Sequence, residues 1–103
     1  MSKPRVVKDY EKLDPSVQEQ IKLNYPFGFE QNLIQFTNKE GKRVSALPFE
    51  AEDKYYLVRM TVLEAQTIIE DDDDYEDGEL KDDVKEDYED KYDEMDESDE
   101  DDD

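Results

Sequence analysis

The first regular pattern of apolar and polar positions begins at Leu13. Val17 and Ile21 follow it at a spacing of four residues, which places all three side chains on one face of a helix. We predict that this helix begins at Asp14-Pro15, because Asp is a favoured N-cap residue and Pro fits the first helical position. It should end before Pro26, since the residue that precedes a proline is disfavoured in a helix.

Three segments after this helix have the composition of β-strands. They cover residues 32–37, 42–47 and 55–60, and the last of them is the richest in aromatic and β-branched residues. Residues 38–41, Asn-Lys-Glu-Gly, have the composition of a hairpin turn between the first two strands. Pro48 should end the second strand, because proline has no N–H to donate to a neighbouring strand.

A second helix is predicted to start after Thr61. Thr61 and Glu64 have the spacing of a capping box, in which each side chain bonds the backbone N–H of the other residue. Val62, Ala65 and Ile69 then share one face of the helix. The pattern therefore predicts that the folded part of the chain ends close to Ile69.

Together these elements predict a small α+β head over residues 9–70. Its order is α-β-β-β-α, with two helices packed on a three-stranded antiparallel meander. Residues 1–8 carry three basic residues and are interpreted as a basic N-terminal arm. Because every helix cap and strand signal lies before residue 70, the head should be autonomous. Deletion of residues 71–103 should then leave its melting temperature no lower than that of the full chain.

The net charge of the chain, −20, lies entirely in its last third. Residues 1–69 hold ten acidic and ten basic residues, whereas residues 70–103 hold 23 acidic residues and three lysines. Residues 71–103 contain too few apolar side chains to offset the entropy lost on ordering, so we predict a disordered, low-complexity acidic tail. Such a polyanion repels phosphate and attracts basic protein surfaces.

One pattern within the acidic tail favours a helix. Its apolar side chains are spaced by four, four, four and three residues, as on one side of a helix: Leu80, Val84, Tyr88, Tyr92 and Met95. Repulsion among the surrounding carboxylates should keep this segment unfolded when the protein is alone, and a basic partner should make residues 79–97 helical. We predict that these five residues bind the partner.

The composition argues against an enzyme. The chain has no His and no Cys, which removes the commonest general base and the imidazole and thiolate ligands of metal sites. The acidic residues form no calcium-binding loop, since placing Gly78 at position six of such a loop puts Tyr75 and Val84 where carboxylates are required. We therefore predict no catalytic residue, no metal site and no cofactor.

Two surfaces of the head are candidate binding sites. Phe27 and Phe29 flank a glycine, and an aromatic pair at a turn is difficult to bury in a small head, so both are predicted anchors for a protein partner. Lys39, Lys42 and Arg43 form a candidate basic patch at the hairpin. Direct binding of nucleic acid there is disfavoured, because the attached tail competes for the patch and repels phosphate.

The head also resembles a family of short, acidic-tailed bacterial proteins of the flavobacterial type. The resemblance is carried by Tyr-Pro-Phe-Gly-Phe at 25–29, Phe-Thr-Asn-Lys-Glu-Gly at 36–41, Val-Ser-Ala-Leu-Pro-Phe-Glu at 44–50 and Tyr-Tyr-Leu-Val-Arg-Met-Thr at 55–61. Some members of that family are labelled DNA primase, which implies an association with nucleic-acid machinery. Primase chemistry is not expected here, because the chain has no zinc ligands and is too short for a polymerase domain. The architecture, although not the sequence, is similar to the delta subunit of bacterial RNA polymerase, a small head with a long acidic tail.

These observations favour a non-enzymatic interaction protein. Its head would dock on a partner while the tail competes with nucleic acid for a basic surface, as an accessory of transcription, replication or translation machinery. A polyanionic, chaperone-like shield for free basic proteins is the alternative, and a replication accessory linked to DNA primase is a further one. The sequence has no signal-peptide or membrane-span pattern, so we expect a cytoplasmic protein that is a monomer when free and binds no membrane.

Overall fold

A mixed four-stranded sheet lies at the centre of the fold in the computed structural model. The structure describes the backbone of residues 3–101 and the side chains of residues 3–92. The elements in chain order are β1 (Arg5–Asp9), α1 (Pro15–Asn24), β2 (Ile34–Thr37), β3 (Arg43–Glu50), β4 (Tyr55–Arg59), α2 (Val62–Asp71), β5 (Tyr75–Glu76), β6 (Glu79–Leu80) and α3 (Asp82–Asp101). Short 3-10 turns at Tyr10–Lys12 and Glu30–Asn32 precede α1 and β2.

The sheet has the strand order β1-β4-β3-β2. β2 pairs with β3 and β3 pairs with β4, both antiparallel, as the sequence predicts for the meander. β1 adds a fourth, parallel strand beside β4, with Val6 opposite Tyr56 and Val7 opposite Leu57. The α+β class is therefore confirmed. The predicted α-β-β-β-α order is incomplete, because it lacks this first strand.

The interpretation of residues 1–8 as a basic arm is wrong for the part that forms β1. Arg5–Asp9 has only two adjacent valines as an apolar signal, and Val7 remains 41% exposed. The strand exists because β4, about fifty residues further along the chain, offers a free edge whose backbone groups need partners. A pairing over that distance leaves no local pattern in the sequence.

Both predicted helix starts are found. The Thr61 side chain accepts from the Glu64 amide, and the Glu64 side chain accepts from the Thr61 amide, so the capping box at the start of α2 is confirmed. α1 begins at Pro15 as predicted, but the Asp14 side chain makes no capping hydrogen bond. β3 continues through Pro48, contrary to prediction, because β2 pairs with β3 only as far as Ala46 and needs no N–H from Pro48.

The hydrophobic core lies between α1, α2 and one face of the sheet. It contains Ile21 of α1 and Ala65 of α2, together with Leu13 and Phe29. The residues from the sheet side are Leu47, Phe49 and Val58 on one face of the sheet, and Met60, which directly follows β4. Within the described part of the chain, no helix has an apolar stretch long enough to cross a membrane.

The prediction that the chain becomes disordered at residue 71 is wrong for residues 71–92. Tyr75–Glu76 and Glu79–Leu80 form a two-residue antiparallel hairpin, and α3 follows from Asp82 and contacts α1. The predicted helix at 79–97 therefore begins three residues later than expected, after the short strand β6. This part of the tail is ordered because its few apolar side chains and two of its carboxylates have partners on the head, as described next.

Candidate functional site

A half-buried ionic cluster joins the beginning of the acidic tail to α1. Lys22 Nζ lies 2.6 Å from Asp72 Oδ2 and 2.9 Å from Asp74 Oδ2, and the Lys22 side chain is only 12% exposed. Burial alone would lower the pKa of Lys22, but the hydrogen bonds to Asp72 and Asp74 outweigh burial and raise that pKa above its ordinary value. The lysine therefore stays charged and ties both carboxylates to the head.

Asp74 also receives the first contact from α3. The Tyr88 hydroxyl donates to Asp74 Oδ2 at 2.6 Å. Burial alone would raise the pKa of Asp74, but the hydrogen bonds from Tyr88 and Lys22 outweigh it and hold the pKa below its ordinary value. Burial and the same carboxylate raise the pKa of Tyr88. One carboxylate thus links α1, the loop after α2 and α3.

A second contact lies one turn further along α3, at Glu19 of α1. The Tyr92 hydroxyl donates to the Glu19 carboxylate, and Lys91 Nζ lies 2.8 Å from Glu19 Oε1. These hydrogen bonds outweigh burial, which would act in the opposite direction, and lower the pKa of Glu19. We call the contacts of Glu19 and Asp74 with α3, together with the Lys22–Asp74 ion pair, the α3 seat.

The hairpin between α2 and α3 is part of the folded core. Tyr75 is 7% exposed, its hydroxyl donates to the Tyr25 carbonyl at 2.9 Å, and its ring meets Phe29 at 78° with the ring centroids 6.1 Å apart. Leu80 is 5% exposed, and its amide donates to the Pro26 carbonyl at 2.7 Å. The start of α3 is therefore fixed by apolar packing as well as by the ionic cluster.

The side of α3 away from the head carries exposed carboxylates. Val84, Tyr88 and Tyr92 are half-buried toward α1. Every acidic residue of α3 whose side chain is described is exposed; these are Asp82, Asp83, Glu86, Asp87, Glu89 and Asp90. A helix divided in this way holds its negative charges in fixed positions relative to the head.

The structure separates the predicted partner-binding residues into three groups. Phe27 is 67% exposed, as an anchor requires, whereas Phe29 is fully buried in the core, so the prediction for Phe29 is wrong. Leu80 is buried in β6 and does not lie on the helix, so its place in the predicted stripe is also wrong. Val84, Tyr88 and Tyr92 share one helix face, but that face is occupied by α1. The prediction for Met95 concerns a residue outside those whose side chains the structure describes.

The candidate basic patch stays at the surface. Lys39, Lys42 and Arg43 are exposed at the β2–β3 hairpin, and Arg43 donates to Gln35 Oε1 at 2.8 Å. None of the three takes part in the α3 seat. Among the residues whose side chains are described, no group of three or more Asp or Glu side chains lies close enough to hold a metal ion.

Sequence reasoning missed Glu19, Lys22, Asp72 and Asp74. A lysine next to Ile21 has the pattern of a solvated helix residue, and Asp72 and Asp74 are hidden among four consecutive aspartates. The only available signal was the tyrosine spacing in the tail, which indicates that one face of that helix has a partner. It does not indicate that the partner is α1 of the same chain.

Comparison with models of protein families finds no match for this chain, and comparisons with curated proteins and with solved structures also find none.

We expect acid to loosen the α3 seat. Asp74 and Glu19 have lowered pKa values in the folded protein, so their contribution to stability is complete above about pH 5 and is lost as the pH falls through those lowered values. Asp74→Asn should reduce the free energy of unfolding at neutral pH by about 1 to 3 kcal/mol and should flatten its decrease below about pH 4, as measured by urea denaturation.

Glu86→Gln is the matched control for Asp74→Asn, because it removes one carboxylate from the exposed side of α3. It should leave the stability at neutral pH unchanged or slightly increased, and it should keep the acid dependence of the wild type. If the Asp74 variant shows the same acid dependence as the wild type, Asp74 is not a proton-linked part of the seat.

Proposed function

We propose that this protein is a non-enzymatic interaction protein that presents α3 to basic protein surfaces as a polyanion, in competition with nucleic acid. The observation that supports the proposal is the α3 seat. Tyr88 and Tyr92 hold one side of the helix on the head, and the carboxylates on the other side face solvent. The head then holds the acidic helix in a fixed orientation.

The charge density of α3 is comparable with that of a nucleic-acid strand. Asp82–Asp101 contains thirteen acidic residues and two lysines. At 1.5 Å per residue the helix is about 30 Å long, which gives roughly one net negative charge per 2.7 Å. A DNA strand carries one phosphate about every 3.4 Å. A groove that binds a phosphate backbone would therefore meet a similar line of charge on α3.

A helix that is already packed on the head should compete with nucleic acid for a basic surface better than a free acidic peptide of the same composition. A disordered segment must lose conformational entropy when it binds, whereas a seated helix has already lost it on folding. If the head also contacts the partner, the helix acts at a high effective concentration next to the groove. Since the chain lacks His and Cys, its composition supports a binding function over acid–base or thiol chemistry.

We expect the protein to displace a fluorescent DNA duplex from a lysine-rich histone, measured by fluorescence anisotropy. Binding of α3 to the histone releases condensed ions, so the affinity of the protein for the histone, measured directly without DNA, should fall steeply with salt. If about four charges are neutralised, the affinity should fall roughly a hundredfold between 50 and 200 mM salt.

The control is a mixture of the same histone and DNA with a neutral protein of similar size. An affinity for the histone, measured without DNA, that does not change with salt would exclude an electrostatic mimic; displacement does not test this, because salt weakens the binding of DNA as well. Displacement that is equally strong for every basic protein tried, with no preferred partner in a pull-down, would instead support the general shield.

A further inference from the structure

A cavity of about 590 Å³ opens between the loop after α1 and the β5–β6 hairpin. Two glycine turns line the cavity and lie next to each other, since a Cβ at Gly28 would lie 3.9 Å from the Gly78 carbonyl oxygen. The turn at Gly28 belongs to the head, and the turn at Gly78 lies in the β5–β6 hairpin, at the beginning of the acidic tail. The cavity therefore exists because residues 75–80 fold onto the head.

Part of the lining of this cavity is apolar. Ala65 and Ile69 of α2 line it together with the buried rings of Phe29 and Tyr75. Phe27 forms one wall and leaves 67% of its surface exposed, which is the largest exposed aromatic surface given for the described residues. Cavities of this size are typical of sites that take a whole side chain or a small ligand.

The rim of the cavity is acidic. Glu30, Glu70 and Asp77 line it and are all exposed, and no Lys or Arg is among its lining residues in the described part of the chain. The Glu30 carboxylate accepts from Gln66 at 2.8 Å. None of the ion pairs found among residues 3–92 involves the three rim carboxylates. The rim thus attracts a cation that the protein itself does not supply.

We propose that this cavity binds an arginine side chain of the partner protein. Its apolar floor takes the aliphatic stem, the guanidinium stacks on Phe27, and Glu70 and Asp77 accept its N–H groups. A hydrophobic side chain would leave the carboxylates without a partner. A free metal ion would gain nothing from the aromatic wall. Arginine fits better than lysine, because a planar guanidinium stacks on a ring and reaches two carboxylates at once.

This inference deepens the proposed function, since it names the residue by which the head recognises a basic partner. The cavity and the outer side of α3 are separate surfaces. One can therefore fail without the other. The cavity gives specificity for a particular arginine, whereas α3 contributes attraction to any basic groove.

The test uses the full chain and Nα-acetyl-arginine methylamide as the probe, followed by ¹H–¹⁵N correlation spectra. We expect saturable shifts at the amides of Phe27, Gly28 and Gly78, with weaker binding of the lysine analogue. The citrulline analogue, which has the same shape without the charge, should produce no saturable shift at those amides.

Two variants test the assigned contacts. Glu70→Gln combined with Asp77→Asn should weaken arginine binding about fivefold, and Phe27→Ala about threefold. Asp77 has a φ of 55°, a conformation that Asn also adopts readily, so the backbone of the turn is preserved. The matched control is Glu40→Gln combined with Asp53→Asn, which removes the same charge at exposed sites outside the cavity lining and should leave arginine binding unchanged.

The proposal is overturned if the shifts follow the acidic residues of α3 instead of the cavity, or if the control variant weakens binding as much as the cavity variant. It is also overturned if arginine and citrulline bind equally. The cavity variant should still displace DNA from the histone. Loss of arginine binding with intact displacement therefore supports the cavity assignment, and arginine binding without any displacement leaves the cavity in place while refuting the mimic.

Discussion

Deleting residues 71–103 should destabilise the head, although it removes most of the negative charge. The deleted segment contains Tyr75 and Leu80, which are 7% and 5% exposed, and it covers the ring of Phe29. Burial of each such side chain contributes about 1.5 to 3 kcal/mol, so we expect a loss of roughly 3 to 6 kcal/mol. The melting temperature, followed by circular dichroism, should fall by more than about 10 °C.

Relief of charge repulsion acts against this loss, so the deletion needs a control that isolates the charge. Deletion of residues 93–103 removes nine carboxylates and keeps every side-chain contact described above. Its melting temperature should equal or exceed that of the full chain, because repulsion along α3 decreases. If both deletions raise the melting temperature, repulsion outweighs the packing of Tyr75 and Leu80, and the head ends near residue 70 after all.

The elements that could be predicted from the sequence are those specified by neighbouring residues. The capping box at Thr61 and Glu64 is a contact across three residues, and so is the turn bond from the Gly41 N–H to the Asn38 carbonyl. The apolar face of α1 is likewise a local pattern, and Ile21 lies in the core as expected. In each case the residues that decide the structure lie within one or two turns of each other.

The elements that could not be predicted depend on partners far along the chain. β1 is placed by its pairing with β4, and Lys22 meets Asp74 from a distance of 52 residues in sequence. In the composition of the tail, Asp72 and Asp74 count only as two more acidic residues in a run of four. Composition does not show which of these aspartates face a lysine. The tyrosines of the tail gave a correct helix face, but the sequence alone does not distinguish a partner protein from α1.

Replacing Val84, Tyr88 and Tyr92 by serine should unseat α3 without changing the net charge. The variant loses the hydrogen bonds to Asp74 and Glu19 and the apolar contact with α1. Carboxylate repulsion along Asp82–Asp101 is then unopposed, so the helical signal in circular dichroism should fall. If the helix must re-form on binding, that step costs about 2 kcal/mol or more, and the protein should displace DNA from the histone at least about tenfold less well.

The matched control shifts carboxylates on the opposite side of α3, by the combined change Glu86→Asp, Asp87→Glu and Glu89→Asp. This variant has the same charge and an intact seat, so its helicity and its displacement of DNA should remain close to those of the wild type. Equal displacement by the serine variant would show that charge alone determines binding and that the seat has no role in function. Backbone chemical shifts of the free wild type provide an independent check. Helical shifts over residues 82–92 would show that α3 is already folded on the head in the free protein. Random-coil shifts there would show that the acidic segment folds only on a partner.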